Sequence, residues 1–141
     1  MSPLLTQHQA SEIAAAASQY RQAKGFPPMG FAVLDASGQL VVYLREDGAS
    51  MFRFDVARAK AWGAVGMGQS SRVLGERAKD NPNFFVALAA TAEGKFLPQP
   101  GAVLIRNANG DVIGAVGASG GTGDQDEEAC AAGVTVAGLQ V

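Results

Sequence analysis

The hydrophobic pattern at the start of the chain predicts a helix followed by a hairpin. Apolar residues recur every three or four positions over about residues 7–24, which is the spacing of an amphipathic helix. Thr6 and Gln9 form a capping box at its start, and Gly25 ends it. Alternating apolar positions over Gly30–Arg45, interrupted by an Asp-Ala-Ser-Gly turn, then predict two paired strands.

The middle of the chain has a less regular pattern. A helix is predicted over about 51–67, and one stripe along it becomes steadily smaller, which suits close packing against a sheet or a partner helix. The stripe consists of Phe52, Val56, Ala59, Gly63 and Gly66. A second short helix is predicted over Ser71–Lys79, and Pro82–Ala92 is compatible with either helix or irregular structure.

A second hairpin and a last helix are predicted in the final third of the chain. Val103–Arg106 and Val112–Ala118 flank an Asn-Gly pair, which is a strong hairpin signal. A glycine-rich loop follows, and Thr122 or Asp124 caps a helix over about 125–137. Because no strand–helix–strand unit repeats regularly, the order of elements predicts an α+β fold with helices packed over an antiparallel sheet.

Length and composition favour one globular domain over residues 1–141, with 48% apolar and 17% charged residues. The formal net charge is −2 and the 11 lysines and arginines are scattered, so we expect neither nucleic acid nor a membrane surface as a partner. The first eight residues lack the basic and apolar regions of a signal peptide, and no long apolar run follows. We therefore expect a cytoplasmic location.

Three stretches resemble the signature blocks of a known family. They are VLDASGQLVVYLREDGA (Val33–Ala49), DVARAKAWGA (Asp55–Ala64) and GDVIGAVGASGGTGDQDEEACAAG (Gly110–Gly133), in the family's order and spacing. On these residues the chain resembles the GlcG/HbpS-like ("haem-degrading", DUF336) family, which also occurs as the C-terminal domain of PduO-type proteins. The chain departs from the family at Leu97–Ala102, where a Gly-Gly-Xaa-Pro stretch is common. We expect this segment to border the ligand region, so the departure bears on ligand identity.

The resemblance implies a profilin-like α+β fold, with an antiparallel sheet of about five strands flanked by helices. It also implies homo-oligomers and a small-molecule ligand, with haem as a cofactor in some members. The function it implies is that of a small-ligand binding protein, with haem as one candidate, that assists haem degradation or sensing. An enzyme of another class stays open: a cofactor-free lyase or isomerase of a catabolic operon, acting on a small organic acid.

The candidate site residues combine charged groups with a loop of small residues. Cationic side chains suit a ligand carboxylate or a haem propionate, and glycines allow close approach of the backbone. The ligand-binding candidates are Arg45, Lys60, Ser119, Gly120 and Asp126. In the enzyme alternative, Asp126 or Asp55 is the general base. A structural role is the competing interpretation, because acidic residues stabilise a helix start and Asp55 can pair with a basic residue on its own helix.

His8 is the axial candidate for a haem iron, although its position off the apolar helix face predicts a solvated side chain. The other side chains of suitable chemistry are Tyr20, Tyr43, Met29, Met51, Met67 and Cys130. Cys130 has acidic and apolar neighbours, which favour a buried, inert thiol. No group of histidines, cysteines and carboxylates has metal-ligand spacing, so we expect no protein-bound metal site.

Overall fold

The computed structural model describes residues 4–141, and it confirms the α+β class. Residues 1–3, which begin the segment considered for a signal peptide, lie outside the described residues. The helices are α1 (Gln7–Lys24), α2 (Phe52–Met67), α3 (Ser71–Asp80), α4 (Pro82–Thr91) and α5 (Gly123–Val136). The strands are β1 (Gly30–Asp35), β2 (Leu40–Arg45), β3 (Ala102–Arg106) and β4 (Val112–Ser119). Within this part of the chain, no helix has the length and apolar character needed to cross a membrane.

The sheet is antiparallel, in the order β2-β1-β4-β3. It has four strands among the described residues, where the resemblance implied about five. On the free side of β3, Arg106 and Gln140 exchange backbone hydrogen bonds of 2.6 and 3.0 Å. This single bridge is the only pairing along that edge in the described part of the chain, and it is too short to form a fifth strand.

Helices cover both faces of the sheet, which explains why the two central strands are buried throughout. α1 and α5 pack together on one face, where Ile13, Phe31 and Val116 belong to the main core. α2 lies on the other face, where Leu34 and Ala61 belong to a smaller cluster. Successive residues of a strand point to opposite faces, so a strand between two helical layers is apolar at every position.

The small residues of α2 do bring the helix close to the sheet, but the contact face differs from the predicted stripe. Ala57, Ala61 and Ala64 are fully buried against β1 and β4. Phe52, the first residue of the predicted stripe, is 61% exposed. The reason is that the helix can lie close to the sheet only through its alanine face. The larger side chain of Phe52 therefore does not pack between the helix and the sheet.

Gly117 of β4 permits this approach. A Cβ built at Gly117 would lie 2.3 Å from the carbonyl oxygen of Ala57, an atom of the helix backbone that cannot rotate away. We therefore expect Gly117→Ala to destabilise the fold by about 1–3 kcal/mol, as overpacking does, in urea unfolding. The matched control is Gly66→Ala on α2, where a Cβ would meet nothing within 4 Å, so this substitution should be neutral or stabilising. Equal stability of the two variants would contradict this packing.

A buried carboxylate ties α1 to the strands. Glu46, only 7% exposed, accepts hydrogen bonds from Ser18 Oγ at 2.6 Å and from the Met29 N–H at 2.8 Å. Arg21 adds two donors, its Nε and Nη2, each 2.8 Å from a Glu46 oxygen. Four donors thus satisfy both carboxylate oxygens, which is what a buried charge requires.

Candidate functional site

A cleft of about 490 Å³ lies where β4 ends and α5 begins. This volume falls within the range of about 300–1,000 Å³ that is usual for small-molecule sites. Polar groups from α2 and α5 meet there with the loop that precedes β3. Its lining residues are Val56, Lys60, Leu97, Gln99, Pro100, Ser119, Gly121, Thr122, Gly123, Asp124 and Asp126.

A buried ion pair forms the floor of the cleft. Lys60 of α2 is 5% exposed and Asp126 of α5 is 2% exposed. The Lys60 Nζ donates to Asp126 Oδ2 and to the Ala118 carbonyl oxygen, both at 3.1 Å. The other carboxylate oxygen of Asp126 accepts from the Gly121 N–H at 2.9 Å. An ammonium has three N–H groups, and no third acceptor lies within hydrogen-bond distance among residues 4–141, so one is available to a ligand.

Gly101 makes room for the lysine. Its φ is +135°, a backbone conformation that side-chain-bearing residues rarely adopt, and a Cβ there would lie 2.6 Å from Lys60 Nζ. The glycine thus allows the ammonium to reach across the end of the sheet to α5. The pair joins helices on opposite faces of the sheet at the point where the sheet ends.

The electrostatic setting of Asp126 is unusual for a carboxyl group. Burial raises the pKa of Asp126 above its ordinary value, and the Lys60 charge, the Gly121 N–H and the Arg53 charge counteract only part of that effect. A carboxylate that lines a cleft with a raised pKa and a cationic neighbour is a suitable general base.

The start of α5 is held in place by its own side chains and by α3. Thr122, one of the two predicted caps, accepts from the Gln125 N–H at 3.1 Å in a capping box. Asp124 and Glu127 both pair with Arg72 of α3, the latter at 3.0 Å. These acidic groups, which would otherwise repel an anionic ligand, are therefore partly neutralised by a cation.

Arg53 is a component of the site that the sequence patterns did not identify. Its Nη1 donates to Ser119 Oγ at 3.2 Å, and its charge lowers the pKa of Asp126. Arg53 lies seven residues before Lys60, two turns along the same face of α2. That spacing was a usable signal, but the pattern of one chain does not indicate which helix face borders a cleft.

The structure brings together three of the five predicted ligand-binding residues, Lys60, Ser119 and Asp126, around one cleft. Gly120 lies beside this cleft with a φ of +147°. A Cβ built at Gly120 would lie only 2.2 Å from the Pro28 carbonyl oxygen, so the backbone has no room for a side chain there. Arg45 is exposed at the end of β2 and lines a separate cleft of about 380 Å³ beside α1. Asp55 is exposed on α2 and is not part of the lining.

Among the described residues, none of the candidates with iron-ligand chemistry is part of the cleft lining. The His8 side chain is 83% exposed and pairs with Glu12 at 2.8 Å. Tyr20 donates to Glu128 at 2.5 Å, and Met29 is fully buried in the main core. Across residues 4–141, no three histidine, cysteine or acidic side chains are grouped so that they could hold a metal ion.

Cys130 is fully buried, and burial raises the pKa of its thiol, with the Asp126 charge adding to the effect. Only the thiolate is nucleophilic. We therefore expect the folded protein to resist a thiol reagent such as 5,5′-dithiobis(2-nitrobenzoate) near pH 8 and to react at once in denaturant. Rapid reaction of the folded protein would show that the thiol is accessible.

Comparison with known proteins identifies the family. The family model described as "Haem degrading protein HbpS-like" matches residues 5–135, which include every residue of the cleft. The chain belongs to the HbpS-like family. This confirms the resemblance of the three sequence blocks. No curated protein sequence matches this HbpS-like chain significantly.

Solved structures agree with the family. The crystal structure of HbpS is 28% identical, with a TM-score of 0.83 and coverage of 96% of this chain and 92% of HbpS. A PduOC:heme complex is 24% identical, with a TM-score of 0.86 and coverage of 97% of both chains. The Klebsiella pneumoniae protein ORFY, of the DUF336 family, is 24% identical, with a TM-score of 0.87 and coverage of 98% and 94%. The last two similarities establish the shared fold.

The segment that departs from the family pattern forms one wall of the cleft in this HbpS-like chain. Leu97, Gln99 and Pro100 line it opposite Ser119 and the start of α5. The expectation that this segment borders the candidate ligand region is therefore consistent with the structure.

Proposed function

We propose that this HbpS-like chain is a binding protein for a small acidic ligand, which occupies the cleft at the end of the sheet. The observation that carries the proposal is the buried Lys60, which lines the cleft and keeps one ammonium N–H for a ligand. Arg53 adds a second cation within reach of Ser119, whereas Asp126 contributes one carboxylate. The acidic lining residues are already paired, Asp126 with Lys60 and Asp124 with Arg72, so directed N–H donors and not a net positive charge would hold the anion.

Haem is the first ligand to test. The family description names haem, and PduOC was crystallised with heme. Haem carries two propionates, and Arg53 and Lys60 are the residues of this chain that suit them. Degradation and sensing of haem both require that haem binds, so binding is the step to measure first.

The cleft fits the acidic groups of haem but not its iron. The usual axial ligands are histidine, cysteine, methionine and tyrosine, and none of these lines the cleft. His8, the axial candidate, is an exposed residue paired with Glu12. We therefore assign the propionates to Arg53 and Lys60 and no residue of the cleft to the iron.

The test is a titration with haem and with iron-free protoporphyrin IX, followed by absorption. We expect saturable binding of both, with similar affinity, because the propionates and not the iron supply the contacts. Arg53→Ala should weaken the affinity for both porphyrins about ten-fold or more, because losing a hydrogen bond to a charged group has an effect of about that size. The control is Arg45→Ala, which should change neither. A non-saturating shift that no substitution alters would mean adventitious sticking and would overturn the proposal.

A second function, a cofactor-free enzyme acting on a small organic acid, is favoured by one observation. Asp126 has a raised pKa and lines the same cleft as Lys60. In this alternative the carboxylate removes a proton from the carbon next to a carbonyl group. The electron pair of the broken C–H bond moves onto the carbonyl oxygen, where the Lys60 ammonium stabilises the negative charge. In a substrate with a C=C bond beyond that carbon, return of the proton from Asp126 to the far carbon of that bond shifts the C=C bond next to the carbonyl group and completes an isomerisation.

Proton exchange tests this alternative directly. A 2-oxo acid such as pyruvate is incubated with the protein in D2O, and loss of its methyl proton signal is followed by NMR. The alternative requires exchange above the protein-free rate that Asp126→Asn abolishes. Asp55→Asn, a matched change of an exposed aspartate, should have no effect. Exchange at the protein-free rate across a panel of 2-oxo acids would remove the enzyme alternative.

A further inference from the structure

The hydroxyl of Tyr43 on β2 is buried, and it has no hydrogen-bond partner among the residues that the structure describes. A tyrosine hydroxyl, with an ordinary pKa of about 10, carries its proton at neutral pH and can donate, and burial raises the pKa of Tyr43 further. A buried hydroxyl without a partner costs free energy, and a native chain that keeps one needs a reason. A ligand oxygen that accepts from it would supply that reason.

The position of the hydroxyl connects it to the cleft. A Cβ built at Gly30 would lie 2.3 Å from Tyr43 Oη and 3.0 Å from Arg53 Cβ, so both side chains crowd the same point. Gly30 also pairs directly with Ser119 across the sheet. Because Arg53 donates to Ser119 Oγ, the three side chains converge at the end of the sheet where β1 begins.

The hydrogen-bond donors of these three side chains suit the binding of a planar anion. Arg53 has five N–H donors, of which the bond to Ser119 uses one. The hydroxyl of Ser119 accepts from Arg53 and keeps its own proton to donate. A guanidinium flanked by hydroxyl donors matches the two oxygens of a carboxylate.

We propose that Arg53 and Tyr43, which lie next to the cleft-lining Ser119, form with it a carboxylate subsite beside the cleft, with the rest of the ligand extending towards the Lys60–Asp126 pair. This inference rests on the proposed function and restricts the class of ligand that the cleft would bind. The ligand has a carboxylate at one end, and it has a polar or charged group at the other end for the Lys60 ammonium. A dicarboxylate or a hydroxy or oxo acid meets both requirements.

Calorimetric titrations of Tyr43→Phe and Arg53→Ala with succinate and with its uncharged diamide test the subsite. We expect Tyr43→Phe to weaken succinate binding about ten-fold, and Arg53→Ala to weaken it more. The diamide should bind weakly to every variant. Tyr43→Phe should keep or raise the melting temperature of the free protein, since it removes an unpaired hydroxyl. A merely structural tyrosine would not combine higher stability with weaker binding.

The matched control is Tyr20→Phe, which removes a hydroxyl bonded to Glu128 on the side of the sheet covered by α1 and α5. It should leave succinate binding unchanged. Should succinate fail to bind, the same variants are titrated with iron-free protoporphyrin IX. Binding of either probe that Tyr43→Phe does not weaken overturns the subsite and leaves the proposed function standing. No binding of either probe by the unaltered protein overturns both.

Discussion

Asp126→Ala should destabilise the protein by about 3–5 kcal/mol, the usual cost of removing one partner of a buried ion pair. The substitution leaves the Lys60 ammonium almost completely buried without its counter-charge, and it leaves the Gly121 N–H without its acceptor. Chemical unfolding in urea measures the loss. Asp55→Ala, which removes an exposed carboxylate, should change stability by less than about 0.5 kcal/mol.

A double substitution separates the charge from the packing. In Lys60→Met with Asp126→Leu, both charges are replaced by apolar groups of similar size, so no uncompensated charge remains. We expect this variant to recover most or all of the stability lost in Asp126→Ala, because hydrophobic replacement of a buried pair is often neutral or favourable. A double variant as unstable as the single one would show that the site depends on more than the pair. Recovered stability together with lost ligand binding would show that the pair is kept for the ligand.

Glu46→Gln should also have a large effect, of about 3 kcal/mol, because it weakens the charged contacts of a buried carboxylate with Arg21. The amide keeps the shape but replaces an acceptor oxygen by a donor nitrogen. At least one of the Ser18, Arg21 or Met29 donors then loses its partner. The control is Glu12→Gln on the exposed face of α1, which should lie within about 0.5 kcal/mol of the unaltered protein.

The same carboxylate should make stability depend on pH. Burial alone would raise the pKa of Glu46, but hydrogen bonds from Arg21, Ser18 and the Met29 N–H outweigh it and hold the pKa below its ordinary value. The unfolded chain has a glutamate pKa of about 4.3. The stabilisation is therefore complete above that pH and is lost as the pH falls through the lower folded pKa. Between about pH 5 and 3, the free energy of unfolding should fall less steeply with decreasing pH for Glu46→Gln than for the unaltered protein. Identical slopes would contradict this assignment.

Much of the fold was predictable because its signals are local. The capping box of Thr6 and Gln9, the left-handed Gly25 and the Asn-Gly turn fix element boundaries within a few residues of sequence, and all three are confirmed. The face of α2 that meets the sheet was not predictable. The choice between Phe52 and Ala57 is decided by how closely the helix can approach β4, which depends on Gly117, 60 residues further along the chain.

The site was predictable in part for a related reason. Lys60, Ser119 and Asp126 fall in the family blocks, and the structure places them around one cleft. The contact between Lys60 and Asp126 spans 66 residues and depends on the room left by Gly101, which no spacing rule encodes. Arg45 falls in a family block and Arg53 does not, so the sequence indicated only Arg45. Only the layering of α2 over the sheet shows that Arg53 reaches Ser119 while Arg45 lines another cleft.

The most direct test of the central claim is an NMR titration of ¹⁵N-labelled protein with succinate. Amide shifts report where the anion binds, independently of any reaction and of iron. We predict saturable shifts concentrated at Ser119, the amides of 121–124 and Lys60, with no matching change when the diamide is added. Saturable shifts around Arg45 and Asp47, or shifts that rise linearly at every exposed cation, would contradict the assignment of this cleft as the ligand site.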